Sequence, residues 1–338
     1  MHFTIQKSGQ VNKMTESKWA RLELIYELES PLHIGYLPAK GSVVASTRYY
    51  VPGKNFWGAV TKLATESLFK NPIGKYYQDI GEKIREYFRF SYFYILEDDE
   101  IYYPSFSKEG LVYGSSKKIT KDQFEDKFVG SRVSTAIDFS LKTAQQGTLH
   151  EIGFIKNKYR DERGNIKNAR ISGVVWVRKD AELSMEKGNV LLYIKEDGVY
   201  ANGLNLLKEL TLGGEQNYGF GRVKLIGLSK KQKLFFGEEN LAANDVIITV
   251  KNSNPIISHV KVFRENKDGN PVYFCGDIEL LSGREYPSRE NERFKKPGKY
   301  IVLPEYYYSP GTVFLSKGQN DNVEIDFVLK HDGIMKAV

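Results

Sequence analysis

Residues 20–29 (ARLELIYELE) alternate apolar and polar side chains, the period of a strand buried on one face. Ser30 and Pro31 end that pattern. After an extended stretch to Val51, Pro52-Gly53 introduces KNFWGAVTKLATESLF, where Phe56, Val60, Leu63, Ala64 and Leu68 recur at helical spacing. A period of two followed by a period of 3.6 restricts the chain to folds in which helices cover a sheet.

Part of 78–90 is expected to form a second helix, and 91–103, rich in Tyr and Ile, a strand. Residues 104–131 are polar and Lys-rich, which predicts a long loop, functional or disordered. Further strands are expected at 147–155, 172–178 and 189–194, with the charged insert 156–170 as a protruding hairpin or mobile loop. A short helix over Gly203 to Leu210 and a strand from Arg222 to Leu228 complete this part. The order predicts an α+β class, with a ferredoxin-like (RRM-like) β-α-β-β-α-β domain carrying inserted loops over 18–228. Residues 229–240 read as a linker. Beyond it, 241–338 has strand-like runs at 245–250, 299–303 and 323–329 and no long helix pattern, which predicts a smaller β-rich domain.

Forty-nine Lys and Arg against 42 Asp and Glu leave a net charge of +7, which favours a polyanionic partner. The 22 tyrosines suit either base stacking beside cations or half-buried strand faces. A single cysteine, Cys275, excludes an internal disulfide and any multi-cysteine zinc or iron–sulfur site. The amino terminus lacks a signal-peptide core, and no apolar run reaches the roughly 18 residues of a membrane span. A cytoplasmic protein without a membrane partner is expected.

Three segments carry candidate chemistry. GGEQNYGFGR (213–222) contains Gly213, Gly214, Tyr218, Gly219, Phe220, Gly221 and Arg222. It lacks the spacing of a nucleotide phosphate loop or a dinucleotide fingerprint. A backbone this bare followed by a cation fits either a tight turn or a surface against which an RNA backbone lies. Residues 30–62 interleave His33, Lys40, Arg48, Tyr49, Tyr50, Lys54, Trp57 and Lys62, and Lys54-Asn55 opens a helix whose free amides favour phosphate. The alternative for these residues is a helix start with solvated lysines. Residues 131–155 place Arg132 before a short loop and Gly147 before an alternating strand, which on physical grounds alone is an exposed hairpin.

Taken in order, these segments resemble the RAMP superfamily of CRISPR effector proteins. The likeness rests on Ser30-Pro31-Leu32-His33-Ile34-Gly35 after the first strand and on Val51-Pro52-Gly53-Lys54 at the first helix. Arg132 through Asp138 with Gly147-Thr148-Leu149, and the glycine loop before Arg222, extend it, so it spans about residues 20–228. Tyr307 through Phe314 is similar to an element near the end of larger type III members that cap the guide.

The resemblance implies ferredoxin-like domains, CRISPR RNA and target nucleic acid as ligands, and other Cas proteins of a multi-subunit complex as partners, with no cofactor and no resident metal. By position it implies RNA contacts from His33, Lys40, Arg48, Tyr50, Lys54, Asn55, Trp57, Arg132 and Arg222, and from Gly213, Gly214, Tyr218, Gly219, Phe220 and Gly221 of the loop. Members that cut target RNA resemble one another in carrying an aspartate in the loop that corresponds to 36–50. Here YLPAKGSVVASTRYY has neither Asp nor Glu, so a metal-assisted cut is not expected from this loop. Asp138, in another segment, reads as structural. The precursor-processing branch has a similar glycine loop, but Thr211 departs from its first glycine and the loop lies near that branch's carboxyl end, whereas more than a hundred residues follow it here. Cleavage without metal would need His33 with Lys40 or Tyr50 as base and acid. The expectation is a non-catalytic RNA-binding subunit, with a processing endoribonuclease and a target-RNA-cleaving backbone subunit as alternatives.

Overall fold

The computed structural model describes residues 17–35, 43–185, 188–228, 237–285, 300–315 and 324–338, apart from 109, 139, 146, 196, 252–253, 266, 268, 270 and 302. It shows a mixed α and β protein with few helices and many strands.

The strand Trp19–Leu28 runs down the middle of an eight-stranded sheet. It pairs antiparallel with Arg170–Arg178 on one side and with Arg222–Leu228 on the other, where the register shifts between Ile25 and Tyr26. Arg170–Arg178 in turn pairs antiparallel with Phe93–Glu97, so the central order is 222–228, 19–28, 170–178, 93–97. The alternation of 20–29 is physical: Leu22, Leu24, Tyr26 and Leu28 all point into a buried layer.

Helix α1 (Gly53–Leu68) lies over that layer through Phe56, Val60 and Ala64. Gly53 is required at its first position, because a Cβ there would stand 2.5 Å from the Phe90 carbonyl oxygen and 2.7 Å from that of Asp332. Helix α2 (Gly74–Tyr87) packs beside α1 by Ile80 and Ile84. The Trp57 indole of α1 donates to the Gly81 carbonyl of α2 over 3.0 Å.

Two expectations differ from the structure. Residues 104–131 are not a structureless loop: the hairpin Pro104–Ser107 with Gly110–Tyr113 leads into helix α3 (Lys121–Phe128). Phe124 and Phe128 bury α3, and Thr120 and Gln123 close a reciprocal capping box at its start. The helix expected at 203–210 is likewise absent. Asn202 and Gly203 both take positive φ, 49° and 83°, and turn the chain between Gly198–Ala201 and Leu204–Asn205. Asn-Gly is the sequence that a two-residue hairpin turn of this kind demands, and it prevails over the weak helical spacing of the leucines. The insert 156–170 does form a hairpin, Lys158–Arg160 against Ile166–Asn168.

The part beyond residue 237 builds a seven-stranded sheet with Glu324–Leu329 near its centre. Between this sheet and the outer face of the first lies a second apolar layer, in which Trp19, Tyr92, Tyr94 and Trp176 meet Ile248, Ile257, Phe327 and Met335. Polar ties rim it. Tyr94 donates to the Ile257 carbonyl over 2.6 Å, Arg89 pairs with Asp245 at 2.8 Å, and Trp176 donates to Glu239 over 2.9 Å. Of the expected linker 229–240, residues 229–236 lie outside the described residues, whereas Glu238–Asn240 is not linker but a strand that pairs antiparallel with Ile247–Lys251.

Candidate nucleic-acid interface

The glycine loop is a folded unit that grips the segment after the first strand. The Gly214 amide donates to the His33 carbonyl over 2.9 Å, the Gly221 amide to the Pro31 carbonyl over 2.8 Å, and the Leu212 amide to Gly221 over 2.8 Å. Gly213 has φ +75°, and a Cβ on it would lie 2.1 Å from the His33 carbonyl oxygen. Gly221 has φ +86°, with the Leu212 carbonyl oxygen 2.0 Å from where its Cβ would be. Both positions therefore need glycine, for backbone conformation and for close approach. Between them Gln216–Tyr218 makes a single 3₁₀ turn, flanked by Glu215 and Gly219 in the left-handed region.

This grip collects several of the expected residues on one edge of the protein. The His33 ring is buried, and its Nδ1 is 2.7 Å from the Gly153 carbonyl oxygen. Phe220 is buried edge-on against Phe154 at 5.5 Å between ring centres. Gly153 and Phe154 belong to the strand His150–Ile155, whose antiparallel partner Val129–Ser134 sets Arg132 opposite Ile152. Arg132 and Tyr218 are exposed. Arg222 opens the next strand with its side chain two-thirds exposed and its guanidinium 3.7 Å from Glu29. The Asp138 carboxylate accepts from the Ser140 hydroxyl and from the amides of Leu141 and Ser140, a turn-forming role that holds its pKa below the usual range.

Arg48, Tyr50, Lys54 and Asn55 fall in a second group. The Arg48 amide donates to the Ile34 carbonyl over 2.9 Å, so the two groups share residues 33–35. The Arg48 guanidinium donates to the Tyr50 hydroxyl over 2.8 Å and to the Glu279 carboxylate. Glu279 also accepts from Nε2 of His259 over 3.0 Å, while the Tyr92 hydroxyl donates to Nδ1 of the same ring over 2.7 Å. Burial works against the Glu279 charge, yet the bonds from His259 and Arg48 prevail and hold its pKa down to about 2. His259, almost wholly enclosed, is pushed below its ordinary value by burial. It therefore serves as a neutral connector that donates to one side and accepts from the other. Tyr50 stacks on Tyr92 with ring centres 5.3 Å apart.

Above this network lies a cavity of about 570 Å³ between the first helix and the carboxyl-terminal sheet. Lys54, Asn55, Leu281, Tyr307 and Asp332 line it, with Ile34 and Gly35 at the side nearest the glycine loop. Burial raises the Asp332 carboxyl above its ordinary value, with Lys54 acting in the other direction.

Trp57 faces elsewhere, against α2 and His331, and Lys40 lies outside the described residues. A further cavity of about 770 Å³ beside α3 contains several cations. Two of these pair with carboxylates, Lys127 with Glu97 at 2.5 Å and Lys117 with Glu162, and Lys156 donates to the Asp126 carbonyl. Among the described residues no cluster of three metal-ligating side chains occurs, and no helix is long and apolar enough to cross a membrane.

Sequence reasoning missed His259, Glu279 and Asp332, and noted Tyr307 only as part of the terminal element 307–314. The Asp332-Gly333 dipeptide signals the turn between the last two strands, but nothing in the sequence signals that this turn abuts the start of α1.

No family model and no curated protein matches this sequence. Among solved structures, the chain is similar to one in a cryo-EM structure of a type III-B Cmr-beta bound to cognate target RNA. Identity is 13%, 86% of each chain is covered, and the TM-score is 0.46. A second such structure, with target RNA and AMPPnP, shows 12% identity, 86% and 85% coverage and a TM-score of 0.45. An apo Cmr-beta structure shows 10% identity over 62% of this chain and 98% of the other, at a TM-score of 0.35. These three structural neighbours are chains of type III-B Cmr-beta complexes, each at low identity.

Proposed function

We propose that this protein is a non-catalytic, guide-RNA-binding subunit of a cytoplasmic type III CRISPR effector complex, acting in antiviral defence beside other Cas proteins. The observation that carries the reading is the clasp of the glycine loop on residues 31–33. In its support, Phe220 of the loop packs on Phe154 of the strand pair that holds Arg132, and Arg222 opens the strand that follows the loop, in the motif order that marks the RAMP resemblance. Contacts of this kind go to phosphate and sugar, as required of a subunit that must accept any guide sequence.

The fold reading is ferredoxin-like over 18–228, with 241–338 as a second lobe. In its favour, the order 222–228, 19–28, 170–178, 93–97 with antiparallel neighbours is that of a β-α-β-β-α-β sheet. Short hairpins take the place of the second helix. His33 fits a positioning role better than that of a general base, because its ring is buried and bonded to a backbone carbonyl.

The test is binding of a CRISPR RNA bearing its repeat-derived 5′ tag, against a scrambled RNA of equal length, at two salt concentrations, with cleavage scored in the same samples. The reading expects tag preference, affinity that falls with salt, and intact RNA. Cutting at a defined site would replace it with the processing-nuclease reading.

A further inference from the structure

The cavity between the two lobes has features that the clasp does not use. At about 570 Å³ it falls within the range of sites that enclose small ligands. One part of its wall is aliphatic, from Ile34, Leu281 and Ile334. Another part is polar, with the Lys54 side chain over Gly283, the Tyr307 hydroxyl donating to Glu305, and the Asp332 carboxyl. Its position also matters. Gly35 lines the cavity, and two residues earlier the His33 carbonyl receives the Gly214 amide, so the cavity wall begins next to the clasp.

We propose that this cavity receives one unstacked nucleotide of the single-stranded RNA that lies on the glycine loop, an inference that rests on the RNA-binding reading above. Its phosphate would sit at Lys54, its base would lie against Leu281 and Ile334, and Asp332 and Tyr307 would face the base edge. A strand that leaves the clasp at Gly35 turns a base out of its stack at this point, and a splayed base is what aliphatic walls with polar groups at one end accept. The raised carboxyl of Asp332 suits this place, because in its protonated form it donates to a ring nitrogen and in its ionised form it accepts from an amino group.

The test uses the full chain and a set of single-stranded RNAs in which 4-thiouridine replaces one position at a time, irradiated and mapped by mass spectrometry. One position is expected to crosslink within 280–283 or 332–334, and its neighbours to the glycine loop. If RNA binds and crosslinks only to the loop and the Arg132 strand, the pocket is overturned and the RNA-binding reading stands. If no RNA binds, that reading falls and the inference with it. Leu281→Trp gives an independent measure, since it fills the cavity without altering charge. It is expected to weaken binding about tenfold, the scale of one lost base contact, while leaving the slope of affinity against salt unchanged. Unchanged affinity in a folded Leu281→Trp protein would count against the pocket.

Discussion

Arg48 and Glu279, 231 residues apart in sequence, form an ion pair with side chains only 10% and 18% exposed. The pair joins the loop before α1 to an edge strand of the carboxyl-terminal sheet. Glu279→Gln leaves the Arg48 guanidinium enclosed without its counter-charge, which is expected to cost roughly 3 kcal/mol. The folded carboxylate titrates well below its unfolded value, so its stabilisation is complete above the unfolded pKa and fades as pH falls towards about 2. Thermal melts across that range should show wild type and variant converging in acid. A constant gap would contradict the assignment.

Asp332 carries the opposite sign. Burial raises its carboxyl, so the folded protein holds that proton more tightly than the unfolded chain does. Its contribution is full below the unfolded pKa and is lost as pH rises through the folded one. Asp332→Asn keeps an oxygen for the Ile334 amide and is expected to raise the melting temperature at neutral pH, with the difference vanishing in acid. A lower melting temperature at neutral pH would show that the charge of Lys54 outweighs the burial.

Gly213→Ala forces a side chain into positive φ and against the His33 carbonyl. The conformational part alone costs about 1–2 kcal/mol, and the clash must displace either the loop or residues 31–33. RNA affinity is expected to fall along with stability. Gly219→Ala has positive φ but no neighbour within 4 Å of its Cβ, so it should lose stability without moving the clasp. Equal RNA-binding defects in the two variants would argue against a role for the clasp.

Arg222→Ala and Arg132→Ala remove exposed cations and should leave the melting temperature within about 0.5 kcal/mol equivalent. Each should reduce the salt dependence of RNA binding by about one counterion. Salt titrations by fluorescence anisotropy measure this directly. An unchanged slope would place the RNA elsewhere.

What could be read in the sequence follows from range. The alternation of 20–29 and the spacing of Phe56, Val60 and Ala64 report local burial, and both elements formed where expected. The Thr120-x-x-Gln123 cap and the Asn202-Gly203 turn were equally local, yet Lys-rich composition masked the first and leucine spacing the second. The glycine loop was visible, but not that its bareness serves the approach of His33. The His259, Glu279 and Asp332 group depends on strand pairings in a distant sheet, such as Ile278–Leu281 with Glu305–Tyr308, and no local pattern encodes that.

Both faces of the first sheet are apolar, one beneath α1 and α2 and the other beneath the carboxyl-terminal strands. A gene fragment ending near residue 228 would encode a sheet with Trp19, Tyr92, Tyr94 and Trp176 bared to water. Such a product would clump rather than dissolve. The two halves are therefore not interchangeable modules: recombination that swapped one for a cousin would have to carry a matching aromatic face, so insertions and deletions are tolerated at exposed hairpin tips such as 162–165 but not at this seam.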